Sequence, residues 1–131
     1  MTYLVDSDWV IDVFNGQQPA IDTLVSLAPH GLFLSVVTYG ELYEGAYYSR
    51  DPKAALGQLQ TFLTNKTILP VTQPIMERFG ILRGTLPRNL RQQIGDMDLQ
   101  IAATALVFGL TLVTRNLRDY QHVQGLHLYQ P

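Results

Sequence analysis

The sequence predicts an α/β fold, a three-layer α/β/α sandwich around a mostly parallel sheet of about five strands. Short apolar runs rich in Val, Leu, Phe and Tyr, each about the length of a strand, recur at 2–6, 32–36, 67–71, 111–114 and 126–129. The longer segments between them carry helix start and stop signals, and this alternation is the pattern of parallel strands joined by helices. Length agrees: 131 residues, 47% apolar and 15% charged, with no repeat or flexible linker, suit a single domain over 1–131.

The first run, Tyr3-Leu4-Val5, ends at Asp6, and Ser7 is placed to cap a helix that runs through Asn15 and stops at Gly16. Pro19 suits the first turn of the next helix, and His30-Gly31 its end. After the second run, Thr38 precedes a helix with Glu41 three residues on, the Thr-x-x-Glu pattern of a capping box. In that helix Tyr39, Leu42, Tyr43, Ala46 and Tyr47 form one stripe, read as core or a subunit contact, while Glu41, Glu44 and Tyr48 point the other way. Pro52 and Pro74 fit the first turns of helices on either side of the third run. Asp96 is placed as the N-cap of a helix that stops at Gly109, just before Thr111-Leu112-Val113. The last run closes the sheet.

Composition narrows the chemistry. With no Cys, a disulfide scaffold, a Cys-ligated zinc site and thiol catalysis are excluded. Nine Lys and Arg against eleven Asp and Glu argue against nucleic-acid binding through bulk positive charge, but not against a locally basic groove. The N-terminus, Met1 to Asp6, has no basic leader, and the longest nearly apolar stretch, Ile101 to Val113, falls short of the ~20 residues a spanning helix needs. The expectation is a cytoplasmic chain with no membrane segment.

In open parallel sheets the functional crevice lies beyond the carboxyl ends of the strands. Asp6 stands there, in a position equally suited to a turn or cap residue. Asp8 fills out the first helical turn, and Asp12 falls away from the Val10-Ile11-Phe14 side, where solvent is expected. Glu41 faces away from the tyrosine stripe, free to act at its helix start. With Asp98 taken as the origin at 100° per residue, Ala105, Gly109 and Ala102 fall within about 40° of it, and Asp96 lies about 160° away. Asp98 therefore shares the core-facing stripe, where a carboxylate needs a hydrogen bond, a partner charge or a metal. Asn116 or Asp119 can bring a fourth oxygen to the same edge or serve as turn and cap residues.

Such oxygens would converge from separate strand-to-helix junctions. Packed carboxylates repel unless protons or cations neutralise them. Oxygen-only ligation suits a hard ion, Mg²⁺ or Mn²⁺, which stabilises charge on a phosphoryl group and activates water, so the natural substrate class is a phosphodiester. His30, His122 and His127 stand at no ligand spacing and read as surface residues.

These residues resemble the PIN domain, and within it the VapC-type toxin ribonucleases of toxin–antitoxin pairs. Leu4-Val5-Asp6-Ser7-Asp8 resembles the opening block, Thr38 to Gly45 the second and Ile94 to Ala103 the third. Leu112-Val113-Thr114-Arg115-Asn116, with Asp119-Tyr120 and Gly125-Leu126, is similar to the closing block. The resemblance implies that Asp6, Glu41 and Asp98 bind one or two Mg²⁺ or Mn²⁺ ions, and that Ser7 and Thr114 support the acids. Asp8 stands where the family often has Asn, and Asn116 where many members have a fourth acid, so Asp119 or Asp96 is an alternative helper. It further implies a homodimer, a small DNA-binding antitoxin partner, and attack by a metal-activated water on RNA that leaves a 5′-phosphate and a 3′-hydroxyl. Arg78, Arg83, Arg88 and Arg91, with Arg115 and Arg118, can form a phosphate-tracking rim or simply a solvated face.

Other readings fit less of the chain. Asp6-Ser7-Asp8 and Gly95-Asp96 look like a haloacid-dehalogenase-like phosphatase, yet Gln100 stands where that pattern needs Asp, and neither Lys53 nor Lys66 follows a suitable strand. A response-regulator receiver needs a Lys late in the chain, and none lies beyond Lys66. A non-catalytic PIN-like module that binds RNA or antitoxin is the alternative that Asn116 supports.

Overall fold

In the computed structural model, which describes residues 2–131, β1 (Tyr3–Val5) leads through α1 (Ser7–Phe14) and α2 (Gln18–Leu27) to β2 (Leu32–Ser35). Helices α3 (Val36–Tyr48) and α4 (Pro52–Leu63) then carry the chain to β3 (Thr67–Leu69). Three more, α5 (Gln73–Thr85), α6 (Arg88–Gln93) and α7 (Asp96–Phe108), return it to β4 (Thr111–Val113), and α8 (Leu117–Tyr120) precedes β5 (His127–Leu128). All five predicted strands form.

The sheet is parallel throughout, in the order β3-β2-β1-β4-β5. Tyr3 of β1 sits opposite Leu32 on one side and Thr111 on the other, so β1 is the centre. The chain winds outward from β1 to β3 and then crosses back to β4, which makes the carboxyl ends of β1 and β4 the topological switch point.

Alternation along the strands builds the three layers. Leu4 and Leu112 enter a core with Ile75 and Leu82 of α5 and Leu99 and Ala102 of α7. Val5 and Val113, one residue on, enter the opposite core with Trp9, Val10, Leu24, Leu42 and Leu59 from α1 to α4. Each such side chain, fully buried, contributes roughly 1.5–3 kcal/mol.

Three helix starts differ from expectation, each by one to three residues. Asp6, not Ser7, caps α1: its Oδ1 accepts from the Ser7 amide at 2.8 Å. The α3 helix begins directly after β2, capped by Ser35 Oγ on the Val37 amide at 3.0 Å, so Thr38 lies inside the helix, buried, and no Thr38–Glu41 capping box forms. Gly95 is the N-cap of α7, and Asp96 is its first helical residue. The stops hold: Asn15 closes α1 before Gly16, and Gly109, in the left-handed region at φ +65, closes α7. Pro19, Pro52 and Pro74 sit in first turns. No helix among the described residues is long and apolar enough to cross a membrane.

Candidate active site

Parallel pairing places Asp6 between two strands. Its amide donates to the Val113 carbonyl at 2.9 Å, extending the ladder one residue beyond β1 and fixing the side chain at the switch point. Oδ1 caps α1, and Oδ2 accepts from Thr114 Oγ1 at 2.8 Å, the first residue after β4. The same hydroxyl lies 3.4 Å from Asp8 Oδ2 and accepts the Asn116 amide at 3.1 Å. Thr114 thus joins the first and last strand-end segments in one network.

Three more carboxylates gather around this centre. Asp8, in the first turn of α1, accepts the Arg115 amide on Oδ2 at 3.0 Å, while its buried Oδ1 has no partner. Glu41 reaches in from α3; its buried Oε1 has no hydrogen-bond partner, and the Ser7 hydroxyl favours its charged form. Asp98, on α7, has its Oδ2 3.5 Å from Asn116 Nδ2. That amide nitrogen also donates to Asp119 at 3.1 Å, and Gln93 holds the same Asp119 carboxylate. One amide nitrogen of Asn116 therefore lies between the Asp98 and Asp119 carboxylates.

Electrostatics follow from the crowding. Asp6 is 5% exposed, and burial first, then the Asp8 charge, push its carboxyl up to about 7, against the lowering effect of its bonds from Thr114 and Ser7. Burial also raises Asp8, Glu41 and Asp98; Asp98 adds to the rise at Glu41, and Asp119 to that at Asp98. Asp119 is lowered, chiefly by the Gln93 amide. The groups acting most strongly on Asp6, Glu41 and Asp98 include no Lys, Arg or His. A buried cluster of this kind holds protons or a cation.

The donor set fits a hard divalent ion. It is all oxygen, and the free Asp8 Oδ1 and Glu41 Oε1 are the buried, unpartnered acceptors such an ion would satisfy. Asp6, Asp8, Glu41 and Asp98 are the residues able to hold it. Among the described residues no three acidic or His side chains already converge as a finished ligand set, so an ion would draw the mutually repelling carboxylates inward.

Two features escaped the sequence reading. Tyr120, fully buried on α8, has its hydroxyl beside Asp98, where it favours the ionised carboxylate; burial first, then the charges of Asp6 and Asp98, push the phenol strongly upward, so it stays a donor. Its only sequence signal is its place after Asp119. Tyr120→Phe is expected to raise the Asp98 pKa further in the metal-free chain, read by carboxyl-carbon NMR titration, and to change stability by less than about 1 kcal/mol. An unchanged Asp98 titration would show that the hydroxyl does not reach it. The second is the anchoring of Arg115: its guanidinium pairs with Asp12 and lies 5.3 Å from the Trp9 ring centroid. Asp12 is therefore a partly buried partner, not a solvent residue.

The remaining candidates separate. Asp96 is exposed and ion-paired with Arg83, away from the acids. Arg88 and Arg91 line a depression with Arg83, and Arg118 is exposed on α8. His30, His122 and His127 are exposed, as expected. Tyr39, Tyr43 and Tyr47 stack at 5.5 and 6.0 Å along α3, half-buried at Tyr39 and exposed at Tyr47.

Known proteins share this arrangement of sequence and fold. The PIN domain profile matches residues 3–126. Ribonuclease VapC2 of Haemophilus influenzae is 31% identical over 126 residues, covering 96% of this chain and 95% of the relative. A tRNA(fMet)-specific endonuclease VapC of Shigella flexneri is 27% identical over 126 residues, covering 96% and 95%. Among solved structures, VapBC2 from Rickettsia felis, bound to a promoter DNA fragment, superposes with a TM-score of 0.87 at 25% identity and 98% coverage of both chains.

Proposed function

Since the chain belongs to the PIN domain family, we propose that it is a VapC-type toxin, an endoribonuclease that hydrolyses RNA phosphodiesters with the help of Mg²⁺ or Mn²⁺. The observation that carries the chemistry is the group of buried Asp6 and half-buried Asp8, Glu41 and Asp98 at the switch point, raised together, with no Lys, Arg or His among the described groups that act most strongly on Asp6, Glu41 and Asp98.

Asp6, Glu41 and Asp98, joined by Asp8, would hold the ion. When bound, it neutralises charge on the phosphoryl oxygens and makes water a better nucleophile near neutral pH. The chain's own residues supply the orientation. Thr114 and the Ser7 amide each take one lone pair of the Asp6 carboxylate, leaving the others directed by those two bonds. Ser7 steadies Glu41 through its hydroxyl, and Asn116 and Tyr120 steady Asp98. Asn116 and Asp119 act as positioning residues rather than ligands. Arg88, Arg91 and Arg118 face the RNA backbone, while Arg115 serves first to lock α1 to the segment after β4.

The Rickettsia structure is of VapBC2 bound to a promoter DNA fragment, and another similar structure is a toxin–antitoxin complex from Klebsiella pneumoniae; a small DNA-binding antitoxin partner is proposed here on that likeness, together with a homodimer in the cytoplasm. The Shigella relative's name makes tRNA the first substrate to try. Incubation with tRNA and Mg²⁺ or Mn²⁺ is expected to give discrete fragments bearing 5′-phosphates and 3′-hydroxyls, and none with chelator. RNA bound but left intact under all metal conditions would instead establish a non-catalytic binding module.

A further inference from the structure

Helices α5 and α6 bring three guanidiniums to one open depression of about 570 Å³, lined by Arg83, Arg88, Arg91, Gln92, Gly95 and Asp96. Its wall is arranged in advance: Arg91 Nη1 donates to the Arg83 carbonyl at 3.4 Å, and Arg83 is ion-paired with Asp96. Among the described residues neither Arg88 nor Arg91 has an ion-pair partner. Three cations thus face one carboxylate, within a chain whose net charge is −2.

The depression is coupled to the acids through α6. Gln93, at the end of that helix, holds Asp119, which shares the Asn116 amide with Asp98. Asp96 and Asp98 lie two residues apart but about 160° round the helix axis, so the basic depression and the acid cluster flank the start of α7. Guanidinium groups match the oxygens of a phosphate as they match those of a carboxylate. Asp96 offers Arg83 the same kind of oxygen that a phosphodiester would.

We infer that this depression is a phosphate subsite for the RNA strand entering the acid cluster, with Asp96 as an internal anion that occupies Arg83 until an RNA phosphate displaces it. The inference rests on the ribonuclease reading and adds a role that the acids do not require. It also gives Asp96 a function opposite to that of Asp98: one carboxylate restrains substrate binding, the other serves the reaction.

The test uses the full chain carrying Asp98→Asn, so that RNA is bound and not cut, with a fluorescent single-stranded RNA titrated over a range of NaCl concentrations. Adding Asp96→Asn is expected to tighten binding about threefold to tenfold. Adding Arg88→Ala or Arg91→Ala is expected to weaken it by a similar factor and to reduce the salt slope by about one for each guanidinium removed. Asp22→Asn, the same charge change on the exposed surface of α2, is the control and shifts affinity by less than about twofold. Asp96→Asn behaving like Asp22→Asn, or arginine variants with unchanged affinity and slope, would overturn the inference. So would inorganic phosphate stabilising the chain through these arginines while RNA binding ignores them, which would make the depression a free-anion site. The ribonuclease reading fails separately, by absence of cleavage in the unsubstituted chain.

Discussion

Asp98→Asn and Asp6→Asn are each expected to reduce metal-dependent RNA cleavage by about 100-fold or more, measured as the rate of fragment appearance under single-turnover conditions. The substitutions keep side-chain size and remove the charge, so packing of Leu99 and Ile101 beside Asp98, and of Val5 beside Asp6, is preserved. A structural explanation of the loss is separable from a chemical one. Each carboxylate is disfavoured by burial, and Asp6 also by Asp8 and Asp98. Neutralising either therefore relieves a repulsion in the metal-free chain, and the variants are expected to melt at the same or a higher temperature in chelator while losing cleavage. Activity lost together with stability would point to misfolding. Cleavage persisting in both variants would identify a contaminating nuclease and remove the enzymatic assignment.

The second large effect is on stability against pH. Asp6 has an ordinary carboxyl pKa of 3.8 when unfolded and about 7 when folded, so between those values the folded state binds more protons. Its contribution to stability is fully present below the lower value and is lost as pH rises to the upper one, by about 4 kcal/mol at most. Asp8, Glu41 and Asp98 are raised as well and act in the same direction. In chelator the chain is thus expected to be more resistant to urea at about pH 5.5 than at about pH 8. Mn²⁺ should offset much of that difference, because a cation that binds only the folded state adds about 2.7 kcal/mol at a hundred times its dissociation constant. Urea melts at the two pH values, with and without Mn²⁺, check both. Stability that rises with pH in chelator, or that ignores Mn²⁺, would show that these acids are balanced by something within the chain.

Features governed by neighbours in sequence were the legible ones. The five strands, the glycine stops and the first-turn prolines were local, and the sheet followed from their alternation. The helical wheel separated Asp98 from Asp96, and the structure has Asp98 half-buried and Asp96 with 63% of its side chain exposed. Caps were less legible because good capping residues stand side by side. Asp6 and Ser7 both qualify, and the Thr38-x-x-Glu41 pattern imitates a start that the chain had already made at Ser35. What the sequence hid was long-range pairing: Arg115 with Asp12 and Trp9, Gln93 with Asp119, and the Tyr120 hydroxyl beside Asp98. Each depends on which segments the sheet order makes adjacent.

The bond from Thr114 to Asp6 also orders events in time. Asp6 stands 108 residues before Thr114, so it is synthesised well ahead of the hydroxyl on its Oδ2 and the carbonyl that accepts its amide, which belong to the residue after β4 and to β4. Until β4 slots in beside β1, the earliest acid has neither its partner nor its fixed direction, and Asp98 has not met Asn116. A nascent or truncated chain therefore carries the acids without the arrangement. Pairing of β4 with β1 is thus the step that completes the acid centre.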